Sequence, residues 1–391
     1  MFLRRSGTGR ELPVVCSVIN GIRGCFIIKF LIYCIHKFNL KGGITMPISK
    51  KPNIEDWKQL YEAAIEFKKA KCWEWMYEND IFGVKDPKSG EIGYCCIMGN
   101  AGEHFAITAY LGNKGLDGYL TLISDTNDIE NPDNMFIQNC LMCSFEDRSQ
   151  LASEDLKVIK KLGLKFRGSN EWPVFRHFEP GFFPWFLNAD QAYFLTNVLR
   201  QALQVSMRCR FNKFILAHET PATFLVRVFA ADKTEKPVWE DQHVTAHFPE
   251  QEFISIQITD ELWLKKLKSL KTKRGRSLEV DTFFAPVPVR ESQERPYYPK
   301  ACVLLDHNNG MIVSVEMFQD TKKEGYKCVD LLITYINNSG HFPSRLLVSR
   351  EETYNLFSGV CNQLGIEIVV KERLELMEEA RSEMFSFFQN R

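Results

Sequence analysis

Residues 300–318, KACVLLDHNNGMIVSVEMF, carry the strongest structural signal in the second half of the chain. It predicts a β-hairpin, because an apolar run ends at Asp306, the sequence His307-Asn308-Asn309-Gly310 favours a turn, and a second apolar run follows. Downstream, apolar residues recur alternately with helical and with strand spacing. The predicted elements are a helix over 328–337, a strand over 345–349, a helix over 354–364 and a strand over 366–370. We therefore expect residues 251–391 to form a C-terminal α/β domain.

Residues 46–250 have the pattern of an N-terminal α+β domain. Asn53 is the predicted N-cap of an amphipathic helix, and Asn188 is the predicted N-cap of a second, longer one. Between them we expect a hairpin over 80–98, strands over 104–111 and 135–145, and helices over 116–123 and 153–162. The chain as a whole is thus predicted to be an α+β protein of two mixed domains.

The composition excludes several classes of protein. With 391 residues, 45% hydrophobic, 13% aromatic and 25% charged, the chain is long and apolar enough for two cores, and it is not disordered, collagen-like or coiled-coil. It contains no phosphate-binding loop, dinucleotide-binding glycine motif, HExxH or nucleophile elbow. The sequence therefore identifies no cofactor, and it favours a protein without catalysis while leaving ligand, pathway and oligomeric state open.

Residues 1–45 differ from the rest, because seven basic side chains and one acid surround an apolar run from Val14 to Ile35. Arg23 and Lys29 interrupt that run, which disfavours both a signal peptide and a membrane span. Lys41-Gly42-Gly43 can be encoded as a ribosome-binding sequence just upstream of Met46. We therefore expect an untranslated or disordered leader, and translation from Met46 predicts a mildly acidic cytoplasmic protein without a membrane partner.

Nine cysteines lie outside the leader, and their odd number and dispersed positions indicate reduced thiols in a cytosolic protein. Cys140-Leu141-Met142-Cys143 is the one CxxC motif among them. A second pair at zinc-ribbon spacing is missing, and the motif lies in an apolar run. Core packing is therefore the favoured interpretation, and metal binding is the alternative.

The segment FRGSNEWPVFRHFEPGFFPW, residues 166–185, combines prolines and glycine with many aromatic residues. This composition predicts an irregular loop that its aromatic side chains hold against a core. A structural plug is the favoured interpretation. The alternative is a cradle for a base or an anionic group, and its candidate ligand-binding residues are Arg167, Trp172, Arg176, His177 and Trp185.

This segment, together with WKQLYE at 57–62, resembles the first domain of an uncharacterised bacterial two-domain family. The partner domain of that family is similar to the stretches FFAPVPVR at 283–290 and PYYP at 296–299. The resemblance covers most of residues 46–391. It implies a pair of domains of unknown function and no assigned activity.

The order of a hairpin that ends in a carboxylate, followed by alternating helix and strand, is similar to the ribonuclease H-like core of transposases and integrases. The resemblance implies a nuclease that holds two Mg²⁺ ions between carboxylates at separate strand ends. Asp306 matches the first position, whereas Ser349-Arg350 occupies the second, with Glu351 and Glu352 just beyond. The candidate metal ligands are therefore Asp306, Glu351 and Glu352, and a scaffold without the metal pair is the favoured interpretation.

A basic segment at 265–276 offers a different function, because it is rich in cations and the leucines at 264, 267 and 270 have helical spacing. Its candidate phosphate-binding residues are Lys265, Lys266, Lys268, Lys271, Lys273, Arg274 and Arg276. A surface helix with solvated lysines and inward-packed leucines is the favoured interpretation, and phosphate binding is the alternative. The sequence thus predicts a non-catalytic binding or interaction protein, with nucleic-acid binding and metal-dependent nuclease activity as the alternatives.

Overall fold

The computed structural model describes residues 50–124, 132–217, 220, 222–231, 237–248, 250–269, 275–290 and 295–389. They form two compact units. The first unit contains the described residues up to 248 together with 290 and 295, and the second contains 250–289 together with the described residues from 296 onward. The predicted leader at 1–45 lies outside the described residues. Both units combine helices with a mixed sheet, which confirms the predicted α+β class.

The first unit is built on a seven-stranded sheet of order β5-β4-β3-β2-β1-β6-β7. Neighbouring strands are antiparallel, except that β1 and β6 are parallel. The strands are β1 (Phe82–Lys85), β2 (Ile92–Met98), β3 (Phe105–Leu111), β4 (Cys140–Glu146), β5 (Trp172–Phe178), β6 (Thr223–Ala231) and β7 (Pro237–Thr245). The helices are α1 (Ile54–Ala70), α2 (Gly112–Ser124), α3 (Ser153–Lys161) and α4 (Ala189–Phe211).

The predicted N-caps of the two long helices are both confirmed. The Asn53 side chain accepts hydrogen bonds from the backbone N–H groups of Glu55 and Asp56, and the Asn188 side chain accepts one from Gln191. These bonds satisfy amide groups that have no partner inside the helix. The capped helices α1 and α4 then pack together and bury a large apolar core with the sheet. No described helix is long and apolar enough to cross a lipid bilayer.

The segment at 166–185 is more regular than predicted, so the irregular loop is wrong for its centre. Trp172–Phe178 forms β5, which pairs along its whole length with β4. Pro173 lies opposite Phe145 in this ladder. Proline is tolerated there because β5 is an edge strand, whose outer side needs no hydrogen bonds to a neighbour. After β5 the chain turns back, and Trp185 forms a β-bridge with His177.

The second unit contains a five-stranded sheet of order β10-β9-β8-β11-β12. Strand β9 is antiparallel to both of its neighbours, whereas β8, β11 and β12 are parallel. The strands are β8 (Leu278–Phe284), β9 (Lys300–Asp306), β10 (Ile312–Phe318), β11 (Arg345–Val348) and β12 (Glu367–Val370). The longer helices are α5 (Glu261–Ser269), α6 (Tyr326–Ser339), α7 (Glu351–Leu364) and α8 (Glu375–Gln389). The hairpin predicted at 300–318 is therefore confirmed.

The core of the second unit has two parts, one on each face of the sheet. Helices α6 and α7 cover one face, where Leu304 and Phe357 are buried. Helix α8 and the residue before it cover the other face, where Val303 and Leu374 are buried. Strand β8 is buried along its whole length because it lies at the centre of the sheet.

A segment without regular secondary structure, residues 255–258, lies against α7. The Gln363 side chain donates a hydrogen bond to the Ile258 carbonyl at 3.0 Å and accepts one from the Ile258 N–H at 2.8 Å. The Ile256 N–H donates to the Leu356 carbonyl at 3.3 Å. Gly359 makes this close approach possible, because a Cβ atom there would collide with the backbone oxygen of Ile256.

Candidate functional site

The basic segment at 265–276 is described in part, as the second half of helix α5 and as residues 275 and 276. Lys265, Lys266 and Lys268 are exposed on α5, while Leu267 is buried and Trp263 packs against the core of the second unit. The candidates Lys271, Lys273 and Arg274 lie outside the described residues. The last candidate, Arg276, forms an ion pair with Asp306 at 2.5 Å.

Asp306 ends β9 and organises the turn that follows. Its carboxylate accepts hydrogen bonds from the Asn308 N–H at 2.9 Å and from the Arg276 guanidinium. Burial alone would raise the pKa of Asp306, but the Arg276 and Asn308 interactions outweigh that effect and lower the pKa below its ordinary value. The carboxylate is therefore already held in a turn and an ion pair.

The structure does not bring the predicted metal ligands together, because Asp306 lies apart from Glu351 and Glu352. Glu351 and Glu352 are in the first turn of α7, where Lys300 Nζ lies 2.6 Å from a carboxylate oxygen of Glu352. Lys300 begins strand β9 and Asp306 ends it. Six residues of extended strand separate the two ends by roughly 20 Å. Throughout the ranges that the structure describes, no three His, Cys, Asp or Glu side chains are grouped so as to hold a metal ion.

The carboxylates that the sequence analysis misses are Glu279 and Asp281 on the central strand β8. Both are almost fully buried. Glu279 lies 2.7 Å from His307 Nδ1 and accepts a hydrogen bond from the Met377 N–H at 3.1 Å. Asp281 lies 3.2 Å from Nε of Arg350, the residue that precedes α7. The signal in the sequence is the alternation of acidic with apolar residues in LEVDTFF at 278–284.

Asp281 and Arg350 form the most distinctive polar contact at the carboxyl end of β11. The Arg350 guanidinium also donates to the Thr282 carbonyl at 3.2 Å, and the Thr282 and Thr353 hydroxyls are 3.0 Å apart. A guanidinium in this position neutralises the carboxylate and repels a cation that approaches it. These residues therefore fit a structural tie between β8 and α7 and do not fit a Mg²⁺ site.

Of the five aromatic-segment candidates, the structure brings His177 and Trp185 together. The backbone N–H of Trp185 donates to the His177 carbonyl at 2.9 Å, and the backbone N–H of His177 donates to the Trp185 carbonyl at 2.8 Å. Arg295 donates hydrogen bonds to the carbonyls of His177 and Phe183 and pairs with Glu179 at 2.6 Å. Burial and the nearby Arg295 charge lower the pKa of His177 to about 3, so its imidazole is neutral near pH 7.

The other three candidates lie apart from this pair, so the five do not form one site. Arg176 projects to the opposite side of β5 from His177 and holds the buried carboxylate of Asp155 with contacts of 3.0 and 2.6 Å. Trp172 packs against Phe166 at the other end of β5. Arg167 is exposed. A ligand-binding role for any of these residues stays a prediction.

The CxxC motif lies in β4, and its two cysteines point in opposite directions. Cys140 is buried on the face that α2 covers, and Cys143 is buried on the face that α1 and α4 cover. Burial raises the pKa of both thiols far above the ordinary value. Two thiols on opposite faces of a sheet cannot bind one metal ion, so they act as small core residues.

Strand β10 carries the largest run of exposed apolar residues in the second unit. Met311, just before the strand, is 60% exposed, and the exposed side chains that follow are Ile312, Val313, Val315 and Met317. Val315 lies opposite Val303 of β9, and Met317 lies opposite Ala301. Both β9 residues are buried beneath α8. The apolar face that α8 covers thus continues onto β10, where it is exposed.

The two units correspond to two family matches. Residues 57–227 match the model described as Domain of unknown function (DUF7309), and residues 263–385 match Domain of unknown function (DUF6930). No curated protein and no solved structure is significantly similar to the chain. The expected pair of domains of unknown function is confirmed at this level, since a region that matches DUF7309 is followed by a region that matches DUF6930.

Proposed function

We propose that this is a non-catalytic binding protein that takes up an extended segment of a partner polypeptide along strand β10. The observation that carries the proposal is the exposed apolar edge of the five-stranded sheet. In the sheet as described, β10 pairs with β9 on one side only, so its other side presents backbone N–H and C=O groups to a partner strand.

The side chains of β10 support the same conclusion. Edge strands are usually protected from pairing by lysine, proline or inward-pointing charges. Strand β10 has the sequence IVSVEMF, in which Glu316 is the one charged residue. Val315 and Met317 add an apolar surface beside the part of the sheet that α8 covers. The partner expected here is an extended segment with apolar side chains at alternate positions.

A library of short random peptides displayed on phage tests this proposal with the full chain as bait. We expect selected peptides to have alternating apolar residues and to slow amide hydrogen exchange in β10. Val315→Lys places a charge on the apolar face and should weaken binding roughly tenfold or more. Glu316→Lys is the matched control, because it adds a lysine on the other face of the same strand. Failure to select peptides, or equal binding to both variants, would contradict the proposal.

We further infer that the second unit is a ribonuclease H-like scaffold without the metal pair. Its hairpin, followed by alternating helix and strand in one sheet, supports this assignment. The position at the end of β11 that would hold a second carboxylate is taken by Ser349 and Arg350, and Arg350 pairs with Asp281. Mg²⁺-dependent cleavage of DNA or RNA by the purified chain, abolished by Asp281→Asn, would refute the non-catalytic assignment.

The intracellular site of action is also part of the proposal. The nine cysteines among the described residues are free thiols, which supports a reducing compartment such as the bacterial cytoplasm. A bacterial source agrees with the ribosome-binding sequence that the codons for 41–43 can supply. Fractionation of cells that express the natural gene tests the location, and recovery in an oxidising compartment would refute it.

A second candidate function is nucleic-acid binding, and the cationic face of α5 favours it. Lys265, Lys266 and Lys268 are exposed there, whereas Trp263 and Leu267 face the protein. Phosphate contacts release counterions, so binding should fall steeply with salt concentration. Elution from a DNA column is the test: replacing the three lysines by glutamine should lower the eluting salt concentration. Unchanged elution would exclude this surface.

A further inference from the structure

The end of helix α4 in the first unit has an unusual surface, which is made of other residues than the two surfaces proposed above. Phe211, the last residue of the helix, is 86% exposed, and Phe214, in the following 3₁₀ turn, is 84% exposed. Folded proteins seldom leave whole phenylalanine side chains in water, and neighbouring ones mark an interaction site.

The backbone fixes these two rings in place. Asn212 separates the two helical segments, and its side chain accepts a hydrogen bond from the Phe214 N–H at 3.0 Å. The Ala217 N–H then donates to the Phe214 carbonyl at 3.0 Å, which closes the turn. Because the turn is held by these bonds, the rings project from a formed structure, and little conformational entropy is lost when they are buried.

Cations alternate with the phenylalanines along the chain, in the sequence RCRFNKF at 208–214. Arg210 lies 4.8 Å from the centre of the Trp75 ring, and Lys213 lies 4.1 Å from the centre of the Tyr77 ring. Arg210 and Lys213 are exposed, and Lys213 also pairs with Asp80 at 3.2 Å. The protein thus holds two cations beside two exposed apolar rings.

We propose that this surface, Arg210, Phe211, Lys213 and Phe214, binds the protein to the surface of a membrane that contains anionic lipids. The rings would enter the boundary between headgroups and acyl chains, and the cations would lie at the level of the headgroup phosphates and carboxylates. The alternation of apolar rings with cations is the charge complementarity that selects this partner. Binding of this kind is peripheral and does not require a membrane-spanning helix.

Two other partners fit the surface less well. A single nucleic-acid strand needs a row of aromatic faces along a cationic groove. Here the surface offers two exposed phenylalanine rings and not a row of them, and the ion pairs of Lys213 with Asp80 and of Arg208 with Asp241 leave Arg210 as the main cation for any phosphate, which suits a few headgroup contacts better than a continuous strand. A protein partner fits less well because the centre of a stable interface is apolar and depleted of charge, whereas here the exposed Arg210 and Lys213 lie among the exposed apolar side chains of Phe211, Phe214, Met207 and Tyr77. Peripheral binding to a membrane requires only a small apolar insertion and nearby cations.

Vesicle sedimentation with the full chain tests the proposal. The two vesicle types are phosphatidylcholine alone and phosphatidylcholine with about 30 mol% phosphatidylserine. We expect binding to the anionic vesicles and release at high salt, because salt screens surface charges. The double variant Phe211→Ser and Phe214→Ser should bind roughly tenfold less, since both apolar insertions are lost. Leu262→Ser is the control, because it also replaces an exposed apolar side chain by serine but lies outside the proposed surface, in the second unit, where Leu262 is 80% exposed. This variant should bind the vesicles as tightly as the wild type.

Several outcomes would overturn the proposal. They are absence of binding to either vesicle type, equal binding to both, and unchanged binding by the double phenylalanine variant. Binding of a single-stranded oligonucleotide that the same variant loses would assign the surface to nucleic acid instead. A wild-type mass that falls to the monomer in the variant would assign it to self-association.

If the double phenylalanine variant melts at a lower temperature than the wild type, the double variant Arg210→Gln and Lys213→Gln provides the test. It keeps both rings and should lose the preference for anionic vesicles.

Discussion

The buried ion pair between Asp155 and Arg176 gives a quantitative test of how the first unit is stabilised. Burial alone would lower the pKa of Arg176, but the charge and hydrogen bonds of Asp155 raise it above its ordinary value. Asp155→Ala leaves the guanidinium buried without its carboxylate. Breaking a buried pair in this way costs about 3–5 kcal/mol. For a unit of this size we expect the melting temperature to fall by roughly 6–20 °C.

The double variant Asp155→Ala and Arg176→Met distinguishes an unpaired charge from simple loss of packing. It removes the stranded guanidinium and keeps an apolar side chain of similar length, so it should recover about 2 kcal/mol or more relative to Asp155→Ala alone. Lys157→Ala on the same helix is the control, because its pair with Glu154 is exposed and should cost under about 0.5 kcal/mol.

Urea titration with tryptophan fluorescence measures these free energies. Most of the signal comes from the first unit, whose tryptophans are Trp57, Trp73, Trp75, Trp172, Trp185 and Trp239. An Asp155→Ala loss no larger than that of Lys157→Ala would show that the buried pair contributes little. A double variant that loses as much stability as Asp155→Ala and a single Arg176→Met variant together would show that the stranded charge is not the cause.

Three further predictions concern pH, packing and metal. Unfolded His177 takes up a proton below pH 6.5 and the folded residue does so near pH 3, so the first unit should lose stability as the pH falls between these values; His177→Gln should reduce that loss in urea titrations at several pH values, and an unchanged profile would count against it. Gly359→Ala should destabilise the second unit by about 1–3 kcal/mol in thermal melts, because the new Cβ meets the Ile256 backbone, and an unchanged melt would contradict the close approach. MgCl₂ should shift the melting temperature no more than NaCl of equal ionic strength, and a specific upward shift would indicate a metal site after all.

Local patterns predict the helices and the hairpin because their signals lie within a few residues. Asn53 and Asn188 are N-cap residues that predict where two helices begin, and the turn at 307–310 predicts the hairpin. By contrast, Trp172–Phe178 is a strand that propensity alone assigns to a loop, because its pairing partner β4 lies about thirty residues earlier. Tertiary pairing overrides the local preference there.

The candidate site is harder to predict than the fold, because it depends on which strand ends lie together. Asp306 looks like a metal ligand in the sequence, yet it and Glu352 lie at opposite ends of β9. The pair that does meet, Asp281 and Arg350, is separated by about half of the second unit in sequence. Only the parallel pairing of β8 with β11 brings these two residues together.

The contact between Gln363 and Ile258 sets a practical limit on where the second domain can be cut. The family match begins at residue 263, whereas the segment at 255–258, which packs closely against Gly359, lies before it in the sequence. A fragment that starts at 263 lacks residues 255–258. It would therefore lose both Gln363 hydrogen bonds, and the surface of helix α7 that these residues cover would be exposed to solvent. A fragment for expressing the isolated DUF6930 domain should therefore start near residue 250, so that it includes residues 255–258 and keeps their contacts with helix α7.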